Sequence, residues 1–223
     1  MKFRHEFKHE ISEFDYLMLR SRLHATLHPD HNGDNGKYKI RSLYFDNLYD
    51  AALREKIDGV NCREKFRVRA YDGDINFIRL EKKSKVNGLC NKVSARITAD
   101  EVACIIAGDI DFMEHHQAPL VQELFRKMKN GGLKPKTIVD YTREAFTYPA
   151  GNVRITLDYD ISTGLSSTDF LDANSVTIPA GDKVIILEVK WDEYFPDFVR
   201  DVVQMESRRA AAYSKYGACR IYG

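Results

Sequence analysis

The feature that most constrains the fold of this chain is a set of short segments in which basic and apolar residues alternate. Successive side chains of a β-strand point to opposite faces, so such a segment forms a strand with one charged and one apolar face. The segment 63–71 (REKFRVRAY) places Arg63, Lys65, Arg67 and Arg69 on one face. The other face carries Phe66, Val68 and Ala70, together with Glu64. We therefore predict a sheet whose two faces differ sharply in charge.

The same alternation recurs in other predicted strands. Their charged faces contain Arg79, Glu81, Lys83 and Lys85 in 75–85, Lys92, Ser94 and Arg96 in 89–97, Arg154, Thr156 and Asp158 in 152–161, and Glu188 and Lys190 in 183–191. A single charged face is usually just solvated. Several faces biased towards Arg and Lys indicate more, because grouped cations repel one another unless an anion lies among them.

The coarse pattern predicts an α+β chain of mostly strands, organised as one domain over residues 1–223. Further strands are predicted at 3–10, 37–46 and 136–147. Helices are predicted from Ser12 and from Thr98, where capping boxes begin, over 117–129, and from Pro196 to Tyr213. The apolar positions expected on the first helix are Phe14, Leu17, Met18 and Leu23. If the sheet closes on itself, its charged face lines a lumen and the helices cover it from outside.

Composition excludes several classes of protein. The net charge is only +1 over 223 residues, which argues against bulk binding to nucleic acid or membrane. The cysteines are widely spaced, as in a reducing compartment, and no apolar run approaches membrane-spanning length. The first residues contain no apolar segment of the kind found in signal peptides. We predict a cytoplasmic protein without direct membrane insertion, and a membrane-protein partner remains open.

A basic lumen suits a linear chain of phosphates. Arginine supplies forked donors that match phosphate oxygens, and lysine supplies a point charge. The pairs Glu81–Lys83 and Glu188–Lys190 each place a carboxylate beside these cations. A carboxylate next to phosphate is repelled unless it holds a cation, and Mg²⁺ or Mn²⁺ often bridges the two. A ladder of cross-strand salt bridges explains the same pairs equally well.

The residues His5 to His9 match the zinc-protease pattern HExxH, which requires a helix to bring both histidines to one face. The capping signal at Ser12 places the helix after this motif, so we predict a strand here and no zinc site. The chain also has no glycine-rich loop of the P-loop or Rossmann type. These motifs therefore give no independent indication of function.

Eight stretches together resemble one known family. They are RHEFKHEI at 4–11, SLYFDN at 42–47, KFRVRAY at 65–71, LEKKSK at 80–85, LKPKTIVDYTREAF at 133–146, VRITLD at 153–158, LEVK at 187–190 and SKYGACR at 214–220. The chain resembles the catalytic domain of the vacuolar transporter chaperone (VTC) polyphosphate polymerases. That family belongs to the triphosphate tunnel metalloenzymes, also called CYTH-like proteins.

The resemblance implies a closed antiparallel β-tunnel of about eight strands with helices packed outside. It implies an enzyme that transfers the γ-phosphate of ATP to inorganic polyphosphate with Mn²⁺ or Mg²⁺. The catalytic residues it implies are Arg67, Arg69, Lys83, Arg143 and Arg154. Phosphate contacts are expected from Lys8 and Lys215, with Lys190 added from its strand face. The metal ligand it implies is Glu188, with Glu81 added from its strand face.

One departure separates this chain from the tunnel triphosphatases, which carry ExExK on their first strand. The corresponding stretch has Arg4 in place of the first glutamate, followed by Glu6 and Lys8. Fewer acids in the lumen favour the polymerase over a two-metal hydrolase. Two alternatives remain: a triphosphatase acting on tripolyphosphate or nucleoside triphosphates, and a non-catalytic polyphosphate-binding module.

Overall fold

The computed structural model describes residues 4–87, 89–205 and 213–220. The longer strands are β1 (His5–Ile11), β3 (Lys37–Asp46), β4 (Arg63–Tyr71), β5 (Ile78–Val86), β6 (Leu89–Ile97), β7 (Lys134–Tyr148), β8 (Val153–Thr163) and β10 (Ile185–Trp191). Two short strands are β2 (His28–Pro29) and β9 (Ile178–Pro179). The helices are α1 (Glu13–Thr26), α2 (Ala51–Ile57), α3 (Ala99–Ala107), α4 (Pro119–Gly131), α5 (Asp197–Val203) and α6 (Lys215–Arg220).

All ten strands belong to one antiparallel sheet in the order β1-β10-β8-β7-β3-β4-β5-β6, with β2 on β7 and β9 on β8. The sheet is strongly curled. The Nζ of Lys83 in β5 lies 3.2 Å from the carboxylate of Glu6 in β1, although β1 is the first and β5 the last but one strand in the strand order. The face that carries both residues is therefore concave, and we call it the inner face.

The prediction of a closed tunnel is wrong, because the curled sheet stays open. In the described ranges the edge strands β1 and β6 share only an isolated bridge between Arg4 and Cys90. The pairing register between β7 and β8 shifts between Asp140 and Thr142 of β7, and irregularities of this kind increase the local twist of the sheet. The result is an open half-barrel. The α+β class and the charged inner face agree with the prediction, and the closure of the sheet does not.

The outer face is covered by helices, as predicted, and holds two apolar cores. One packs the outer side chains of β3, β4 and β5 against α3 and α4, with Phe66, Leu80, Val102 and Leu124 at its centre. The other packs β8 and β10 against α1 and α5. Apolar strand faces thus find helical partners on the convex side, which leaves the polar faces to form the concavity.

Helix α6 is an exception to the prediction that the helices pack outside. Its Tyr216 and Cys219 are buried among Tyr38, Ile40 and Val139, which belong to the inner face. The hydroxyl of Tyr216 also donates a hydrogen bond of 2.6 Å to Asp46 at the end of β3. This helix therefore fills part of the concavity and delivers its own side chains to the inner face.

The predicted helix starts are confirmed by reciprocal hydrogen bonds. The hydroxyl of Ser12 accepts from the backbone of Asp15 at 3.2 Å, and the Asp15 carboxylate accepts from the backbone of Ser12 at 3.0 Å. Thr98 and Glu101 form the same capping box at α3. Helix α4 ends where predicted, because Gly132 adopts the left-handed conformation with a φ of 63°.

The last predicted helix, from Pro196 to Tyr213, is shorter in the structure. Helix α5 ends at Val203, and Gln204 already has an extended ψ of 130°. Residues 206–212 of the predicted helix lie outside the described residues. In the part of the chain that the structure describes, no helix combines the length and the hydrophobicity that a membrane crossing requires.

The inward face of α1 also differs from the prediction. Of the predicted apolar positions, Phe14 and Leu17 are 68% and 58% exposed, whereas Leu23 is buried as predicted and packs with Leu19 against β8 and β10. The helix is therefore rotated relative to the predicted apolar stripe. The four consecutive apolar residues Tyr16 to Leu19 are compatible with either orientation of the helix, so the sequence pattern does not decide between them.

This rotation predicts a contrast between two leucines of α1. Leu23→Ala removes a fully buried side chain and should lower the free energy of unfolding by about 2–5 kcal/mol. Leu17→Ala, the matched control on the exposed side, should change it by less than about 0.5 kcal/mol. Urea unfolding followed by circular dichroism measures both. Equal losses would show that α1 packs in the other register.

Candidate functional site

The ten site residues predicted from the sequence are brought together by the structure. They line the inner face or, for Lys215, reach it from α6. They are Lys8, Arg67, Arg69, Glu81, Lys83, Arg143, Arg154, Glu188, Lys190 and Lys215. Most of them form two groups around the carboxylates of Glu81 and Glu188. Arg154 stands to one side.

The first group, the Glu81 cluster, consists of Glu81, Arg67, Arg69 and Lys92. Strand register places Arg67 directly opposite Glu81. Arg67 donates from Nε and Nη2 to Oε2 of Glu81 at 2.9 and 2.6 Å, and Lys92 Nζ lies 3.0 Å from Oε1. Arg69 Nη1 approaches the same carboxylate at 3.6 Å. One buried carboxylate therefore holds three cations in place.

The electrostatics of the Glu81 cluster follow from this excess of cations. Burial alone would raise the pKa of the Glu81 carboxyl, but Arg67, Arg69 and Lys92 outweigh it and hold that pKa far below its usual value. The Tyr44 hydroxyl accepts a hydrogen bond from Arg67 at 2.9 Å. Burial opposes ionisation of Tyr44, yet Arg67 and Arg69 lower its pKa to about 8.

The second group, the Glu188 cluster, consists of Glu188, Lys8, Lys190 and Glu6. Lys8 Nζ lies 2.8 Å from Glu188 Oε1 and 3.3 Å from Glu6, and Lys190 Nζ lies 2.7 Å from Glu188 Oε2. Glu6 extends the cluster across the concavity by its contact with Lys83. Burial lowers the pKa of Lys190 to about 8, despite the opposing charges of Glu188 and Glu6.

Asp158 holds the remaining arginine and lysine of this side. Arg143 donates from Nε and Nη2 to its two oxygens at 2.6 and 2.8 Å, a bidentate pair, and Lys215 Nζ lies 2.6 Å from Oδ2. Asp158 is completely buried. Burial would raise its pKa, but Arg143 and Lys215 hold that pKa well below the usual value.

Arg154 lies apart from both clusters. Its Nη2 is 2.5 Å from Asp30 and donates to the hydroxyl of Tyr38 at 2.8 Å. Its Nε is buried without a hydrogen-bond partner. Arg143 also acts electrostatically on Tyr38, so this tyrosine connects Arg154 to the Asp158 pair.

Tyrosines connect the groups, and sequence reasoning assigned them no role. The hydroxyl of Tyr141 accepts from Arg69 at 3.0 Å, and Lys215 Nζ lies 4.7 Å from the centre of its ring. Tyr141 therefore links the Glu81 cluster with the Asp158 pair. Its position two residues before Arg143 on one strand was a usable signal. The same alternation pointed to Glu6 beside Lys8, and to Asp158 on the face of Arg154.

The HExxH residues lack the helix that the zinc-protease pattern requires. They lie in strand β1, as predicted, and the rings of His5, Phe7 and His9 alternate onto the outer face. His5 stacks on Trp191 with ring centres 5.3 Å apart, and Phe7 meets the edge of the same indole at 5.4 Å. These contacts seal β1 to β10 on the side away from the charged clusters.

The sequence model of one protein family, described as the VTC domain, matches residues 3–221. The chain belongs to the VTC domain family. The family resemblance drawn from the eight sequence stretches is thereby confirmed. Among curated proteins, no sequence matches the chain.

Solved structures share the fold of this VTC domain at low sequence identity. A Bacillus halodurans protein provisionally named an adenylate cyclase is 14% identical, with 91% of this chain and 86% of that chain covered and a TM-score of 0.53. A Pyrococcus horikoshii protein is 11% identical, with 97% and 99% covered and a TM-score of 0.52. At such identities the likeness concerns the fold alone.

The carboxylates of the VTC domain differ in their suitability for a metal ion. Both oxygens of Glu81 face cations only, so its role as a metal ligand stays a prediction. Glu188 lies close enough to Glu6 and Asp158 to influence the pKa of each. Within the described residues, no three His, Cys, Asp or Glu side chains are grouped as a ligand set. Lys8 and Lys190 likewise occupy the two oxygens of Glu188, so its role as a ligand of Mn²⁺ or Mg²⁺ also stays a prediction.

The contacts of the buried Asp158 carboxylate with Arg143 and Lys215 predict a pH-dependent effect of the substitution Asp158→Asn on stability. At pH 7 the variant should lose about 3–5 kcal/mol of unfolding free energy, because Arg143 and Lys215 are left without their anion. Since the folded-state pKa of Asp158 is depressed, its contribution is complete above about pH 5 and is lost as pH falls. The difference from the wild type should therefore shrink by up to about 1.4 kcal/mol per pH unit below about pH 4.

The matched control is Asp160→Asn, an exposed position on the same strand, which should stay within about 0.5 kcal/mol of the wild type. Denaturant unfolding at a series of pH values measures all three proteins. A gap between Asp158→Asn and the wild type that stayed constant down to pH 3 would contradict the assignment.

Proposed function

We propose that this chain is a polyphosphate polymerase that transfers the γ-phosphate of ATP to inorganic polyphosphate on its inner face. One observation carries the proposal: partly buried arginines and lysines converge on a single concave face, where they outnumber the carboxylates. Such a surface needs a polyanion to balance it. Membership of the VTC family supports a polyphosphate-related function and an enzymatic role.

The arginines are suited to clamp a triphosphate. Arg67 and Arg143 are each fixed by a carboxylate in forked geometry, and Arg69 is held by hydroxyls of Ser42 and Tyr141 at 3.2 and 3.0 Å. Arg154 completes the set from β8. Side chains that are already oriented lose little entropy on binding and need no reorganisation as charge develops on phosphate oxygens.

The lysines are suited to guide the acceptor chain. Lys8, Lys83 and Lys190 share the carboxylates of Glu6 and Glu188, while Lys215 enters from α6. An oxygen of the terminal phosphate of the acceptor forms a bond to the γ-phosphorus, and the bond from that phosphorus to the β–γ bridging oxygen breaks. ADP leaves with the electron pair. The attacking oxygen is already anionic, so the reaction requires no general base.

Glu188 would hold Mn²⁺ or Mg²⁺, and such an ion would offset part of the negative charge of the bound phosphates. The protein itself supplies position and charge for the remainder of the reaction. Burial of Glu188, Asp158 and Glu81 keeps these carboxylates fixed among their cations, and the pKa of each stays depressed. The arginines and lysines therefore keep their orientation in the absence of substrate.

Sizing of the product tests the proposal. Purified protein with ATP and Mn²⁺ should form polyphosphate ladders on a gel together with ADP, and a chelator should abolish them. Orthophosphate without chains would favour the triphosphatase. Tight polyphosphate binding without any nucleotide turnover, unchanged in Glu188→Ala, would favour the non-catalytic module.

Substitution of one clamping arginine should reduce the rate without unfolding the protein. Arg67→Lys keeps a positive charge beside Glu81 but loses the guanidinium fork, so kcat/KM should fall about 10²-fold, as for the loss of one preorganised donor. Arg126→Ala, an exposed arginine on α4, serves as the control and should leave kcat/KM unchanged. An Arg67→Lys enzyme with wild-type kcat/KM would remove Arg67 from the clamp.

Binding of tripolyphosphate should weaken as pH rises through 8. Above that pH Lys190 loses its charge and Tyr44 becomes negative, since the pKa of each lies at about 8. Each proton that binding must restore costs about tenfold in affinity per pH unit. Lys190→Arg, whose guanidinium stays charged, should show a flatter profile in calorimetry at constant ionic strength. Both proteins are titrated with the same ligand, so protonation of the ligand itself affects the two affinity profiles equally. Identical profiles would exclude Lys190 as the titrating contact.

A further inference from the structure

A second group of cations lies beside the proposed site, and the charge of Asp46 reaches one of its members, Lys65, without forming an ion pair. The group consists of Lys56 on α2, Arg63 and Lys65 on β4, and Lys85 on β5, and we call it the α2 patch. All four side chains are partly buried. In the ranges 4–87, 89–205 and 213–220 none of them forms an ion pair with a carboxylate. The positions come from three elements that adjoin one another, since α2 packs against β4.

The geometry places the α2 patch at one end of the inner face. Strand register sets Arg63 opposite Lys85 and Lys65 opposite Lys83, and paired side chains on one face stand about 5 Å apart at Cβ. Lys65 Nζ lies 5.0 Å from the ring centre of Tyr216, the inner-face residue of α6. The patch is therefore contiguous with Lys83 and, through it, with the Glu188 cluster.

The charges of the patch repel one another and also reach the proposed site. Burial lowers the pKa of Lys56, and the neighbouring charges of Arg63, Lys8, Lys85 and Lys83 lower it further. Lys56, on a short helix, is thus subject to the charges of lysines on the two opposed strands β1 and β5. Like charges held this close are unfavourable unless an anion joins them.

Other inner-face cations differ from the patch. The basic residues of the Glu81 and Glu188 clusters, together with Lys83, Arg143, Arg154 and Lys215, each have a carboxylate within 4.0 Å. Arg79 and Arg96 have none, but they stack over Phe77 at 4.9 and 5.7 Å, at the other end of the β4–β5 ladder. The α2 patch thus combines partial burial, like charge and proximity to the site.

We propose that the α2 patch is a further anion subsite, which holds phosphates of a long polyphosphate chain beyond those that the two clusters contact. This inference rests on the proposed polyphosphate function and deepens it by assigning a subsite that a triphosphate is too short to fill. The lysines and arginine of the patch contact successive phosphates of the extended chain. Lys56 contributes from α2, which lies outside the strands that bear the predicted site residues.

The test compares two ligands with the full chain. Tripolyphosphate and a polyphosphate of several tens of phosphates are titrated calorimetrically into the wild type and into the double variant Lys56→Ala/Lys85→Ala. We expect the variant to bind the long chain about 10- to 100-fold more weakly, on the scale of two lost charge-assisted contacts, and tripolyphosphate as before. The dependence of log affinity for the long chain on log salt should also become shallower, by about one to two.

The matched control is Lys39→Ala/Lys129→Ala, which removes the same charge from exposed positions on β3 and α4. It should bind both ligands like the wild type. The patch variant should also unfold at the same or a higher temperature, because it relieves repulsion. This readout separates a lost contact from a damaged fold.

The outcomes distinguish this inference from the proposed function. If the patch variant lost equal affinity for both ligands, or no affinity for either, the α2 subsite would be overturned even if the wild type makes polyphosphate from ATP. Absence of polyphosphate synthesis together with normal long-chain discrimination would overturn the polymerase while the subsite stands. A wild type that binds the two ligands equally would overturn the subsite directly.

Discussion

The structure depends on the containment of like charges within one concave face. Rows of arginine and lysine on neighbouring strands would drive a curled sheet open unless anions stood between them. Glu81, Glu188 and Asp158 supply those anions, and each is almost fully buried and contacted by at least two cations. The apolar cores on the outer face bring these cations together when the sheet folds, and the carboxylates offset the resulting repulsion.

Local sequence rules account for much of this architecture. A period of two assigns side chains to faces without reference to the rest of the fold, which is why Arg67, Lys83 and Lys190 were placed correctly. Capping boxes mark the starts of helices by hydrogen bonds within four residues, so Ser12 and Thr98 were equally informative. These features are determined by neighbours along the chain.

Features set by distant parts of the chain escaped prediction. Alternation defines the faces of a sheet but not its curvature, so closure was assumed, although among the described residues the two sheet edges pair only between Arg4 and Cys90. The choice of partner for each cation depends on strand register, which no local pattern reveals. Tyr216 was missed because a six-residue helix leaves little periodicity and is held in the concavity by Tyr44 and Asp46.

The single tryptophan of the chain has a spectroscopic consequence. The indole of Trp191 is stacked on His5 and Phe195 on the convex side, away from the charged clusters. Its fluorescence is therefore insensitive to an anion entering the concavity and sensitive to β1 peeling away from β10. An emission shift would report fraying of that outer strand, whereas tyrosine absorbance would follow events among the arginines.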